Sequence, residues 1–337
     1  MKNYSFEGAR VVFCLIVFLN HWTMLFMPDL PIVIFNDGNL AVVFFLLLCG
    51  FVAPISIWNG TNNKNGGGRR FIRFYPVIFT AIMLTWSIQK IPCDIVRPYL
   101  FNALKLPLAN NYYEKHIDFF SALIETVIDS FIGRPLLDTP LWTIKYEFWG
   151  YIIIRKIALN RIEKRRIFFM CGAVLGLLAR DICTVALFVG AEYSNEFYNN
   201  KRVYKVIADE HLNGVFLILI GVFLLGNCFM NNKLVRLIIV LLIFTLLVND
   251  SKLSNVFSKD FLTKFSNLTY PFYAFHWPIV YSIGGGIVVI LTAVGFPYKM
   301  ALTLSFIGAL TCTVVLVILY KQVSSLLMCA LRKEKWQ

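Results

Sequence analysis

What most constrains this chain is a succession of apolar windows, each close to the roughly 20 residues that a helix needs to cross a bilayer. They run at approximately 11–27, 40–58, 71–89, 141–159, 167–190, 213–229, 234–249, 270–293 and 299–320, and a weaker one at 118–133 is interrupted by Asp118, Glu125 and Asp129. Nine or ten spans are expected, and with them an all-α polytopic bundle of membrane helices, because in lipid each backbone must satisfy its own hydrogen bonds. The composition agrees: 58% of the 337 residues are hydrophobic and 15% charged, against about 25% charged in a soluble domain. Residues 1–337 read as one integral-membrane domain with polar loops at 59–70 and 191–212 and a basic tail over 321–337. The first window lacks a small-residue cleavage site and is expected to be a retained helix.

With 32 Lys and Arg against 19 Asp and Glu the net charge is +13. No basic stripe carries the aromatic spacing of a nucleic-acid module, so nucleic acid is not an expected partner. In a membrane protein the lysines and arginines instead mark the cytoplasmic side of short loops. The first connection, Pro28 to Asn39, carries Asp29 and Asp37 and no basic residue, whereas the second carries Lys64, Arg69 and Arg70. The N-terminus is therefore expected in the cytoplasm. The cluster Arg155, Lys156, Arg161, Lys164, Arg165 and Arg166 and the tail Arg332, Lys333 and Lys335 favour the same side, yet five windows separate them. An odd number of crossings ends on the opposite face, so one window must be misplaced. The eight cysteines fall mostly inside apolar runs and the histidines His21, His116, His211 and His276 are far apart, so neither a disulfide framework nor a metal site is expected. His116 and His211 lie in polar loops and read as solvated.

Four places carry residues suited to chemistry. Arg10 and His21 are 11 positions apart on the first helix, which at 100° and 1.5 Å per residue is within about 20° of three turns and about 16 Å along the axis. They share a face, and His21 is expected near mid-membrane, where an imidazole needs a polar cavity and can accept a hydroxyl proton; a packing hydrogen bond to a neighbouring helix is the alternative. Arg69, Arg70 and Arg73 lead into the third helix, where Arg70 and Arg73, three apart, could grip a phosphate or simply anchor the helix at the cytoplasmic surface. After the helix-start signal Asp138-Thr139-Pro140-Leu141-Trp142, the residues Thr143, Glu147 and Tyr151 recur every fourth position as a polar stripe. Glu147 could orient a histidine, hold an arginine or bind a sugar hydroxyl. Tyr270-Pro271-Phe272-Tyr273-Ala274-Phe275-His276-Trp277-Pro278 opens a late span, either as an interfacial aromatic belt or, through His276, as a cavity wall.

Taken together these segments resemble the acyltransferase family 3 membrane proteins, which O-acylate bacterial surface polysaccharides. Glu7-Gly8-Ala9-Arg10, ten residues and His21 are similar to that family's opening arginine and histidine signature. Phe44-Phe45-Leu46-Leu47-Leu48-Cys49-Gly50-Phe51 is similar to its second-helix run ending in Ser-Gly-Phe, and Arg70-Phe71-Ile72-Arg73-Phe74-Tyr75-Pro76 to its Arg-x-x-Arg element. Pro140-Leu141-Trp142-Thr143-Ile144-Lys145-Tyr146-Glu147-Phe148 and Tyr273-Ala274-Phe275-His276-Trp277-Pro278 are similar to its Trp-Ser-Leu-x-x-Glu and Tyr-Leu-x-His-x-Pro elements. All five occur in the family's order over residues 7–278. Departures are Cys49 for Ser, Thr143-Ile144-Lys145 in the fourth element and Val11 for glycine, and the chain ends at Gln337 as a stand-alone membrane module would.

The resemblance implies an O-acyltransferase of the bacterial cytoplasmic membrane with acetyl-CoA as cytoplasmic co-substrate, a hydroxyl of a cell-surface glycan as acceptor, and no permanently bound cofactor. His21 would act as general base, with a transient acyl-histidine as the alternative, and Glu147 would orient it or bind the acceptor. Arg10 would assist the chemistry and, with Arg69, Arg70 and Arg73, hold the donor. Trp142, Tyr151, Tyr273 and His276 are the expected substrate contacts. The rival class is a transporter or flippase for a glycan or lipid intermediate, since buried Arg, His and Glu serve transport equally well.

Overall fold

The computed structural model describes residues 4–30, 36–58, 66–89, 117–199, 214–215, 217–221, 232–249 and 251–333. His116, His211 and parts of the expected polar loops and basic tail lie outside the described residues, whereas 66–70, 191–199 and 321–333, expected in those loops and tail, are helical. The described chain is 88% helical and, among those residues, without strands. Five stretches, Ser5–Phe26, Gly38–Trp58, Gly67–Ile88, Asp260–Ala293 and Tyr298–Leu326, are long and apolar enough to cross a bilayer unaided. The protein is an integral membrane protein built as an all-α bundle.

Helix α1 spans Tyr4–Phe26, α2 Gly38–Trp58 and α3 Gly66–Gln89. They run alternately between two ends of the bundle, a basic end holding Arg70 and a far end holding Asp37. Helix α4 (Phe119–Ile124) begins at the far end, where the Trp86 indole donates to the Ile117 carbonyl. The chain then descends until Phe131 packs on Phe71, turns at Gly133 in the left-handed region and climbs back, so that the Glu125 carboxylate accepts from the Leu137 amide at 2.8 Å. It descends again through Thr139–Thr143, the wide π-turn Tyr146–Gly150 and α5 (Tyr151–Ala158), whose last carbonyl accepts from Trp58. The windows 118–133 and 141–159 thus make one crossing between them. The interruption at Asp118, Glu125 and Asp129 was the sign.

The window 167–190 is corrected in the other direction. It is two helices, α6 (Ile162–Leu178) and α7 (Ile182–Asn199), folded into a hairpin. Arg180 takes φ 56° at the bend, and Asp181 caps α7, accepting from the Cys183 amide at 3.1 Å and the Thr184 hydroxyl at 2.8 Å. The hairpin ends meet where Arg165 donates to Asn195 at 2.7 Å and Arg166 pairs with Glu196 at 3.2 Å. Tyr198 donates to the Trp58 carbonyl, which puts that junction at the basic end. Helix α8 (Lys233–Val248) starts at the far end, where Arg236 pairs with Asp37 at 2.7 Å, and finishes at the basic end, where Ser5 donates to the Leu247 carbonyl. Residues 199 and 232 therefore lie at opposite ends. After α9 (Lys252–Phe257) and α10 (Asp260–Thr263), helices α11 (Thr269–Ile279) and α12 (Gly285–Ala293) rise to the far end. There Tyr298 donates to the Phe26 carbonyl and α13 (Tyr298–Lys333) returns. With the window split into two helices, the cluster Arg155–Arg166 and the C-terminal end of α13 both lie at the basic end among the described residues, which removes the parity conflict.

Packing is tightest where small residues let backbones meet. A side chain at Gly50 would overlap the Leu187 carbonyl, and one at Gly190 the Leu47 carbonyl, so α2 and α7 touch backbone to backbone. Beside that contact Phe244 meets Phe6, Phe51 and Tyr193 with centroids 4.8, 5.0 and 5.6 Å away, tying α8 to α1, α2 and α7. Helices α1 and α11 run parallel, so that Cys14 meets Thr269 and, seven residues on, His21 meets His276.

Candidate active site

Arg70 and Arg73 face one way from the start of α3 and line a cavity of about 170 Å³ that is also walled by Arg10, Cys49, Glu147 and Tyr151. The polar stripe read from the sequence is thus real. Thr143, Glu147 and Tyr151 all reach this cavity, although the helix carrying them opens into a π-turn at Tyr146–Gly150, a local irregularity common at functional positions. Arg69 is exposed and lies outside the cavity.

Arg70 is the centre of the arrangement. Its Nη2 lies 3.8 Å from Glu147 Oε2 and 3.2 Å from Cys49 Sγ, and its guanidinium sits 4.2 Å from the Tyr151 ring centroid and 4.9 Å from that of Phe74. Arg10 and Arg73 at the same cavity leave three guanidinium groups around one carboxylate. Arg70 Nε and the Tyr270 hydroxyl are buried and have no hydrogen-bond partner among the described residues. Buried donors of this kind are satisfied by an incoming anionic or carbonyl oxygen. The sequence reading left Tyr270 in an aromatic belt; its spacing of three from Tyr273 was the available signal.

The cavity stops at Tyr273 and Thr143. The Tyr273 hydroxyl donates to the Pro140 carbonyl at 2.6 Å and pairs with the Thr143 hydroxyl at 3.0 Å. Three residues further along α11, about 4.5 Å of helix, His276 is buried with 1% of its surface exposed. Its Nδ1 is 2.6 Å from the Tyr273 carbonyl oxygen and its Nε2 is 2.7 Å from His21 Nδ1. The two imidazole planes differ by 15°, and Trp277 meets His21 edge-on with centroids 5.0 Å apart. His21 is half-buried.

Three expectations change in consequence. Glu147 does not orient His21; it pairs with Arg70 at the other end of the cavity, and the partner of His21 is His276. Arg10 and His21 share a face but not an open passage, because the Tyr273 and Thr143 side chains stand between the cavity and the histidines. His21 also lies five residues from the end of α1, about 7.5 Å, and so nearer the far end than the middle. Of the expected substrate contacts, Tyr151 and Tyr273 line the cavity, while Trp142 packs edge-on against Tyr146 outside it. No protein-family model, curated protein or solved structure matches this chain.

Proposed function

We propose that this protein is a membrane O-acyltransferase that moves an acetyl group from cytoplasmic acetyl-CoA to a hydroxyl of a bacterial cell-surface glycan. The observation that carries the reading is a histidine pair held one layer of side chains from a cavity rich in arginine. The resemblance of five ordered segments to acyltransferase family 3 supports it, as does the agreement of both basic clusters on one end of the bundle, which by the distribution of positive charge is the cytoplasmic end.

Arg10, Arg70 and Arg73 bind the donor's phosphates at that end through charge-assisted hydrogen bonds. Glu147 holds Arg70 in place until the donor arrives, and the unfilled Arg70 Nε and Tyr270 hydroxyl donate hydrogen bonds to its oxygens. The acceptor reaches His21 from the far end, where the ring is half-buried. His21 takes the proton of the acceptor hydroxyl, the oxygen attacks the thioester carbonyl, the carbon–sulfur bond breaks, and the leaving thiolate recovers the proton as free CoA. The thioester arm reaches His21 when Tyr273 and Thr143 part. Mass spectrometry of surface glycans from cells making wild-type protein or His21→Ala tests this: one acetyl mass per modified sugar is expected in the first only. Equal acetylation in both removes His21 from the chemistry, and passage of a glycan across the membrane without acetylation favours transport.

A further inference from the structure

The hydrogen-bond chain through the two histidines has a direction. A carbonyl oxygen only accepts, so the 2.6 Å contact between His276 Nδ1 and the Tyr273 carbonyl puts a proton on that nitrogen. A neutral His276 then offers a lone pair at Nε2. That lone pair faces His21 Nδ1 at 2.7 Å, which must carry the proton between them. His21 is left with its lone pair on Nε2. Among the described residues no carboxylate, lysine or arginine touches either ring, whose other neighbours are the aromatic residues Phe18, Phe272, Tyr273 and Trp277.

We infer that His276 is a positioning residue that locks His21 into the Nδ1-protonated tautomer, making Nε2 of His21 the basic atom, and that it shares the proton His21 gains. The inference rests on the acyl-transfer reading for its purpose, though not for its geometry. When the acceptor hydroxyl gives its proton to Nε2, the proton on Nδ1 can pass across the 2.7 Å contact to His276 Nε2. The charge then rests on a ring whose two N–H groups are both hydrogen-bonded, to the Tyr273 carbonyl and to His21. Return of both protons along the same path protonates the leaving thiolate. This assignment replaces the substrate-contact role expected for His276.

Only four histidines occur in the chain, so nitrogen NMR of full-length protein carrying isotope-labelled histidine resolves each ring. Wild-type His21 and His276 are both expected as Nδ1–H tautomers, the minor form of a free histidine side chain. In His276→Leu the His21 signal is expected to move to the Nε2–H form, with kcat for acetyl transfer falling at least about 100-fold and KM for acetyl-CoA changing less than about 2-fold. His276→Gln, whose amide oxygen can accept from His21 Nδ1, is expected to restore the tautomer and at least about a tenth of the wild-type kcat. An Nε2–H tautomer on His21 in the wild type overturns the inference whether or not any variant folds, as does full turnover in His276→Leu. Wild-type protein with the expected tautomers but no acetyl transfer would overturn the acyltransferase reading and leave the histidine geometry standing.

Discussion

The Tyr273 partition makes a prediction whose sign is informative. Tyr273→Phe removes one hydroxyl and keeps the ring. In the closed form this strands the Pro140 carbonyl, now at 2.6 Å from that hydroxyl, and the Thr143 hydroxyl at 3.0 Å. Each buried, unpaired group costs about 1 kcal/mol. In the open form solvent or substrate reaches both, so the closed form loses about 2 kcal/mol relative to the open one, and the open population rises about 30-fold. Apparent affinity scales with the population of the competent state while that state is minor. The kcat/KM for acetyl-CoA is therefore expected to rise, by up to about 30-fold, in initial-rate measurements on purified protein across donor concentrations. A fall to the level of His21→Ala would refute the reasoning, because the hydroxyl would then take part in the chemistry and not in closing the passage.

Other consequences are independent of that gate. Arg70→Ala removes a charge-assisted donor worth about 1.5–3 kcal/mol and is expected to raise KM for acetyl-CoA about 10- to 100-fold with little change in kcat; equal loss in Arg69→Ala would contradict the cavity assignment. Asp37→Asn keeps the Oδ1 that caps α2 through the Leu40 amide but removes the negative charge that pairs with Arg236, which is 5% exposed at its side chain. Unfolding in detergent should show a loss of about 3–5 kcal/mol, largely recovered when Arg236→Met is added. Gly190→Val drives a side chain into the Leu47 carbonyl and is expected to lower the yield of folded protein, whereas Gly286→Val, at a position with open space, should not.

Local patterns in the sequence foretold much of this molecule and stopped where tertiary contacts began. The apolar windows anticipated the bundle because in lipid a helix is the solution for each window separately. A window average, however, passes over two adjacent charges, and Arg180 and Asp181 were absorbed into one span although Asp181 followed by an apolar run is a helix-start signal. Helix periodicity correctly put Arg70 with Arg73 and grouped Thr143, Glu147 and Tyr151 on one face. It also put Arg10 and His21 on one face, but no rule of spacing reveals that Tyr273, more than 250 positions away in the chain, stands between them. For the same reason the stripe offers Glu147 as one candidate to orient His21, when His276 holds that place on α11.

The central claim is that His21 activates a hydroxyl towards a thioester bound by Arg10, Arg70 and Arg73. Its most direct test is transfer of label from radiolabelled acetyl-CoA to glycan by the purified protein in liposomes, with wild type and His21→Ala compared at equal folded amounts. Label in glycan with the wild type and a loss of at least about 100-fold in the variant is the predicted result. Equal incorporation by both proteins, or none by the wild type while glycan crosses the bilayer, would contradict it.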